Sequence, residues 1–377
     1  MSLKKIYLDN NATTAMDPRV LEAVVRDLQE TVGNPSSIHS FGQQARQKLT
    51  KARQIIATNL GVKPQEIVFT SGGSEGANYI LRGLFTPQSP GHIITSSVEH
   101  SCIYKTVQYL ETLGSPATFL SPGALGAITP EAVQQALKHS TKLIALTAVN
   151  NETGVKTDVE AIAALAVQAK VPFLVDGVAL LGKESFIIPQ GVSAMIFSGH
   201  KVHAPKGIGF VFVRSSLKLQ PLLIGGEQEF GRRAGSENLS GIAGLAEAVR
   251  LLKEEVPKAQ ERMEALRYHL ENSLLARLPN VKINGLGTRI CNTSNLCFFG
   301  VEGETLLTAL DLAGIAVSHG SACASGALEP SRVLINMGIS PSEAASSLRF
   351  SLSRQTTKDE IDHCIEIVVS LVNRMRV

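Results

Sequence analysis

The chain has 377 residues, 44% of them hydrophobic, which is enough for one large core and a smaller second one. Aromatics make up only 5% and tryptophan is absent, so the core must be aliphatic, while a scattered net charge of +3 argues against a nucleic-acid or anionic-membrane partner. No apolar run reaches membrane-spanning length, no signal-peptide core is expected at the start, and the five widely spaced cysteines form no CxxC pair. No structural metal or disulfide framework is therefore expected, and a reducing cytoplasm is the expected setting.

Taken in chain order, residues 66–70 read as a strand and 75–84 as a helix. Residues 91–96 form the next strand pattern and 101–113 an amphipathic helix. A buried strand at 142–149 precedes a helix at 159–169 and a strand at 173–175, entered through Pro172. A short apolar run at 194–197 and a strand at 209–213 follow. Short apolar runs alternating with helical patterns predict an α/β domain with a mostly parallel sheet flanked by helices. Beyond Leu239 a helical stretch continues to about residue 278. A strand pattern at 293–299 and a closing helix at 359–372 then suggest a smaller α+β domain.

Ser198-Gly-His-Lys201 follows the 194–197 run, and Asp176 ends the preceding strand. A lysine and an aspartate at adjacent strand ends suit pyridoxal phosphate (PLP), the amine binding the ring's carbonyl carbon and the carboxylate its pyridinium nitrogen. A solvated strand cap is the competing account of Lys201. Gly73 and Ser74 lie in a strand-to-helix turn, where backbone N–H groups and the helix dipole favour an anion such as phosphate; a plain N-cap is the alternative. Ser198 and His200 can add phosphate donors. His100 follows another strand and can stack on a flat ring and move protons, a surface histidine in a strand-to-helix loop being the competing account. Asn150 and Asn151 are turn formers that also offer neutral donors. Arg349 sits in an apolar strand pattern and needs an anion, either a substrate carboxylate or a buried ion-pair partner. Cys323 lies among Gly, Ser and Ala, in a loop with little to bury, where a nucleophile and a small turn residue are both plausible readings. The other four cysteines read as structural.

These segments together resemble the cysteine desulfurases of the NifS/IscS class, within the class V aminotransferase group. The resemblance runs from Tyr7-Leu-Asp-Asn-Asn-Ala-Thr-Thr14 to Arg349-Phe-Ser-Leu-Ser-Arg354. Its most specific parts are Ser198-Gly-His-Lys-Val-His-Ala-Pro-Lys-Gly-Ile-Gly209 and Gly320-Ser-Ala-Cys323, the latter followed by Leu328-Glu-Pro-Ser331. It implies PLP-dependent transferase fold type I, with a large PLP-binding domain over 15–250. A small α+β domain would comprise 1–14 and 251–377 and carry the active-cysteine loop.

The resemblance also implies roles. Lys201 would bind PLP covalently, Asp176 would hold the pyridinium nitrogen, and His100 would stack on the ring as acid/base. Gly73, Ser74, Ser198 and His200 would bind phosphate. Ser236 would reach the phosphate of a partner subunit, which implies a homodimer. Asn151, counted with the cofactor-binding residues, would join Arg349 in holding the carboxylate of L-cysteine. Cys323 would receive the sulfur as a persulfide for an acceptor such as an iron–sulfur scaffold or a thiolation protein.

Two departures stand out. Ala179 occupies the place where the family usually has a glutamine that donates to the cofactor's phenolic oxygen, and His319 stands where a small residue is usual. The expectation for His319 is a second titratable group that promotes the Cys323 thiolate. The alternatives to a desulfurase are a related class V PLP lyase or aminotransferase in which Cys323 is incidental, and a weakened PLP-binding paralogue serving as a sulfur-system partner.

Overall fold

The computed structural model describes residues 5–320 and 330–376. After the short strand Ile6–Tyr7 (β1), seven strands build the main sheet. They are Ile67–Thr70 (β2), His92–Ser96 (β3), Ala117–Leu120 (β4), Thr141–Thr147 (β5), Phe173–Asp176 (β6), Ala194–Ser198 (β7) and Gly209–Val213 (β8). Their order is β2-β8-β7-β6-β5-β3-β4, and β8 alone runs against its neighbours. This is the mostly parallel sheet that the apolar runs predict.

Side chains alternate across the sheet with the period of two that a strand dictates. Met195, Phe197, Phe210, Phe212, Phe173 and Val175 pack into one core. Ala194, Ile196, Val211, Val213 and Leu174 pack into the other, on the opposite face. Phe197 and Phe210 stack with centroids 4.6 Å apart, and truncating either ring would cost about 3–5 kcal/mol. Gly209 permits the turn at Gly72 to approach β8: a Cβ there would lie 2.5 Å from the Phe197 carbonyl oxygen and 2.7 Å from Gly72 Cα.

The C-terminal part has a three-stranded antiparallel sheet in which Thr293–Phe298 (β10) lies between Val281–Ile283 (β9) and Ser347–Ser351 (β12). Ile315–Ala316 (β11) pairs in parallel with β1, which ties the chain's first strand to this part. The helix Leu239–Arg277 runs unbroken through the expected boundary at residues 250 and 251. It packs on the helices Pro18–Glu30 and Ser40–Leu60 and also on Lys358–Met375, so it joins the two sides of the molecule.

Candidate active site

β5, β6 and β7 end side by side at Thr147, Asp176 and Ser198, and the turns after β2 and β3 bring Gly73 and His100 to the same sheet edge. All five residues border one cavity, as do Ser74, His200 and Lys201. Parallel strands leave such a crevice at their C-terminal ends because the connecting helices diverge there. Asn11, Asn151 and Arg349 close the cavity from outside the sheet.

Asp176 is 5% exposed, and its Oδ1 accepts the Val178 N–H at 2.9 Å. Burial raises its carboxyl above the usual range, opposed by the charges of His100 and Lys201 and by the Val178 N–H. Lys201 Nζ donates to the Asn11 carbonyl and to the Ala12 carbonyl, the latter at 2.8 Å. His200 Nδ1 lies 3.1 Å from Thr13 Oγ1. Burial, aided by Lys201 and Lys206, depresses the His200 imidazole to about 4, so it stands in the cavity as a neutral ring at pH 7.

The far wall is held by long-range contacts. Arg349 is 1% exposed and donates through Nη2 to Asp9 Oδ1 at 2.7 Å and through Nη1 to the Asn151 carbonyl at 3.0 Å. Its buried Nε–H has no partner among the described residues. An orphaned buried donor is costly, and it belongs to a cation that borders the cavity. Asn11 Nδ2 donates to the same Asn151 carbonyl at 3.0 Å and to Thr293 Oγ1 at 2.9 Å. Asn150 instead stabilises its own turn: its Oδ1 accepts the N–H groups of Glu152 and Thr153, each at 3.0 Å.

The expected residues thus meet in one cavity, with two exceptions. Ser236 is exposed and borders a separate surface depression with Thr70, Ser71 and Asn238. Cys323 lies outside the described residues. His319 Nε2 lies 3.0 Å from the Ala345 carbonyl oxygen, which cannot donate, so the ring nitrogen carries the proton. Lys206 is exposed and takes no part in the cavity.

One sequence reading needs correction. Cys102 is not merely structural: it borders the cavity, with Sγ 3.0 Å from His100 Nδ1. A helical reading of 101–113 gives no face to a residue in the first turn; its place two residues after His100 was the available signal. Lys183, also missed, borders the cavity and donates to the Lys201 carbonyl at 2.9 Å. Burial pushes its ammonium down to about 8. Ala179 faces the cavity as well.

Residues 6–364 match the class-V aminotransferase family. A cysteine desulfurase of Nostoc sp. is 43% identical over 98% of this chain and 94% of its own length. The chain belongs to the cysteine desulfurase family. A cysteine desulfurase IscS of Clostridium botulinum is 37% identical over 99% of this chain and 96% of its own. A solved NifS-like protein superposes with a TM-score of 0.92 at 32% identity, covering 98% of this chain and 100% of its own. A structure of SspA in complex with cysteine gives 0.82 at 33% identity, covering 94% and 100%. The fold is PLP-dependent transferase fold type I.

Cysteine desulfurases depend on PLP, and the cavity fits that group. A Cβ on Gly73 would lie 2.9 Å from Val178 Cγ2, so a side chain there would have to push that methyl aside. Gly73 and Ser74, in the first turn of the helix Gly73–Leu84, border the cavity, where a helix N-terminus suits an anion. A buried carboxyl and an amine border the same space. Among the described residues no His, Cys, Asp and Glu side chains group as metal ligands.

Proposed function

We propose that this cysteine desulfurase converts L-cysteine to L-alanine and leaves a persulfide on Cys323. One observation carries the assignment of substrate: the buried Arg349, whose Nε–H has no partner among the described residues, borders the same cavity as Lys201 and Asp176. An α-amino acid needs that combination, an anion clamp beside the amine that binds the cofactor. That SspA, similar over nearly this whole chain, has been solved with cysteine supports the same choice.

In this reading Lys201 holds PLP covalently and then moves the proton at the substrate Cα. Asp176 would hold the pyridinium nitrogen, and His100 would serve as an acid/base beside the ring. When bound, the cofactor supplies an electron sink for the charge left at Cα. The Gly73 and Ser74 N–H groups, the Ser198 hydroxyl and the neutral His200 ring bind phosphate. Asn151 and Arg349 orient the carboxylate. The Cys323 thiolate attacks the substrate sulfur, the C–S bond breaks with its electron pair left on carbon, and protonation there gives alanine. Cys323 keeps the sulfur as a persulfide.

The exposed Ser236, outside this cavity, is consistent with a homodimer in which it reaches the partner's phosphate. We assign residues 15–250 to a large domain and 1–14 with 251–377 to a small one, a division supported by the β1–β11 pairing. The sulfur then passes to an acceptor protein, such as an iron–sulfur scaffold or a thiolation protein. Among the described residues no helix is long and apolar enough to cross a membrane, and the described cysteines are free thiols, which suits a cytoplasmic enzyme. The test is sulfide and alanine release from cysteine by the PLP-loaded protein. Both are expected, and both should be lost in Cys323→Ser. Alanine release that survives that substitution would favour a lyase in which Cys323 is incidental.

A further inference from the structure

The Cys102–His100 pair resembles an activated thiol, since a cysteine and an imidazole meet inside an active-site cavity. Sγ lies 3.0 Å from Nδ1. In a thiolate–imidazolium pair Nδ1 would carry a proton and donate it to sulfur. The backbone forbids that arrangement. His100 is the N-cap of the helix Ser101–Thr112, and its Nδ1 accepts the Cys102 N–H at 3.2 Å. An amide N–H can only donate, so Nδ1 must present its lone pair. The thiol facing the same nitrogen must then be the donor, and its own proton must be in place.

We propose that Cys102 is a positioning residue whose S–H and N–H both donate to Nδ1 of His100, holding the ring as the neutral tautomer with its proton on Nε2. The side chain thereby supplies a second lock on a catalytic ring that the helix cap already orients. Burial supports this role, because it pushes the Cys102 thiol up and keeps it protonated, although the contact with His100 opposes the shift. Among the described residues, the charged groups that act on His100 from other elements include Asp176 at the end of β6 and Glu152 in the turn after β5. Both would favour an imidazolium if ionised, but burial raises both carboxyls, and in the PLP-loaded protein the pyridinium would offset the Asp176 charge. Donation to Nδ1 opposes them further, because a protonated Nδ1 cannot accept either bond.

The consequence is directional. Removing the thiol removes one donor that only the neutral ring can use, so the imidazolium forms more readily. The test uses the full PLP-loaded chain with ¹⁵N-labelled histidine, the His100 signals being assigned by their loss in His100→Gln. The wild-type spectrum should show an unprotonated Nδ1 and a protonated Nε2. Cys102→Ala should raise the His100 midpoint by about 0.5–1 pH unit, the share of one neutral hydrogen bond. Cys102→Ser, which keeps a donor of similar size, should restore the midpoint to near the wild-type value. A wild-type spectrum with the proton on Nδ1, or a midpoint that stays put or falls in a folded Cys102→Ala, would overturn the proposal. The acid limb of kcat/KM should move with the midpoint, and that kinetic arm rests on the function proposed above. If no sulfide or alanine forms at any pH, that function fails while the spectra still decide the role of Cys102.

Discussion

The two walls of the cavity are built in different ways. On the sheet side, Asp176 and Ser198 end two neighbouring strands, Lys201 follows the second of them, and Gly73 begins the helix just after a third. The parallel sheet fixes the spacing of their backbones, although the Lys201 ammonium also donates to the Asn11 and Ala12 carbonyls of the N-terminal segment. On the far side, Arg349 is held by Asp9, 340 residues away in sequence, and by the Asn151 carbonyl, 198 away. That wall exists only once the N-terminal segment and β12 have come together. The sheet wall carries the groups suited to a cofactor, and the assembled wall carries those suited to a substrate. Cofactor binding should therefore tolerate damage to the far wall better than substrate binding does.

The strongest way to break this comparison is at Arg349. Arg349→Lys keeps the charge opposite Asp9 but loses the planar fork and the Nε–H. The expected loss is roughly 2–3 kcal/mol, read as a KM for cysteine raised about 30- to 150-fold, with PLP affinity nearly unchanged. Steady-state kinetics beside a PLP titration separate the two; an equal loss of cofactor would mean that the walls are one unit.

A different effect, on stability rather than on catalysis, is expected behind the sheet wall. Glu99 is 1% exposed, accepts the Ser96 hydroxyl at 2.5 Å, and has its carboxyl raised by burial to about 8 from a starting value of 4.5. The folded state keeps that proton while the unfolded state releases it. Wild-type stability attributable to Glu99 therefore falls as pH rises from 4.5 to about 8, with a limiting slope of ~1.4 kcal/mol per pH unit. Glu99→Gln has no such proton, so its stability relative to wild type should climb across that window in denaturant unfolding. Parallel curves for the two proteins would mean that Glu99 is ionised in the fold.

The smallest effect is expected at Ala179, which borders the cavity without a donor. Ala179→Gln should shift the visible absorption maximum of the bound cofactor and the pH midpoint of that band. If neither moves, the missing amide has no bearing on the ring.

This contrast also explains what could be read from the sequence. Asp176, Lys201 and the Gly73–Ser74 turn are legible because a strand end is a local pattern, and doubly wound sheets give strand ends one meaning. The main sheet follows from the same apolar runs. Arg349 is legible as a buried cation in need of an anion, but Asp9 is not legible as its partner, because nothing local links a residue after β1 to one in β12. Asn11 is hidden for the same reason, since its amide acts on Asn151 and Thr293 across the assembled interface. Cys102 is hidden by the helix it begins. The first turn of a helix has no inner face until the strand before it has set the direction of approach. The resemblance to cysteine desulfurases supplied the roles that local chemistry left open at His100, Asn151 and Cys323.

Covalent trapping tests the central claim, that one amine and one buried carboxyl in this cavity hold the cofactor. The PLP-loaded protein is reduced with borohydride, digested, and the labelled peptide sequenced. A label confined to Lys201 is the expected result, whereas a label on Lys183 or Lys206, or no label at all, would contradict the account.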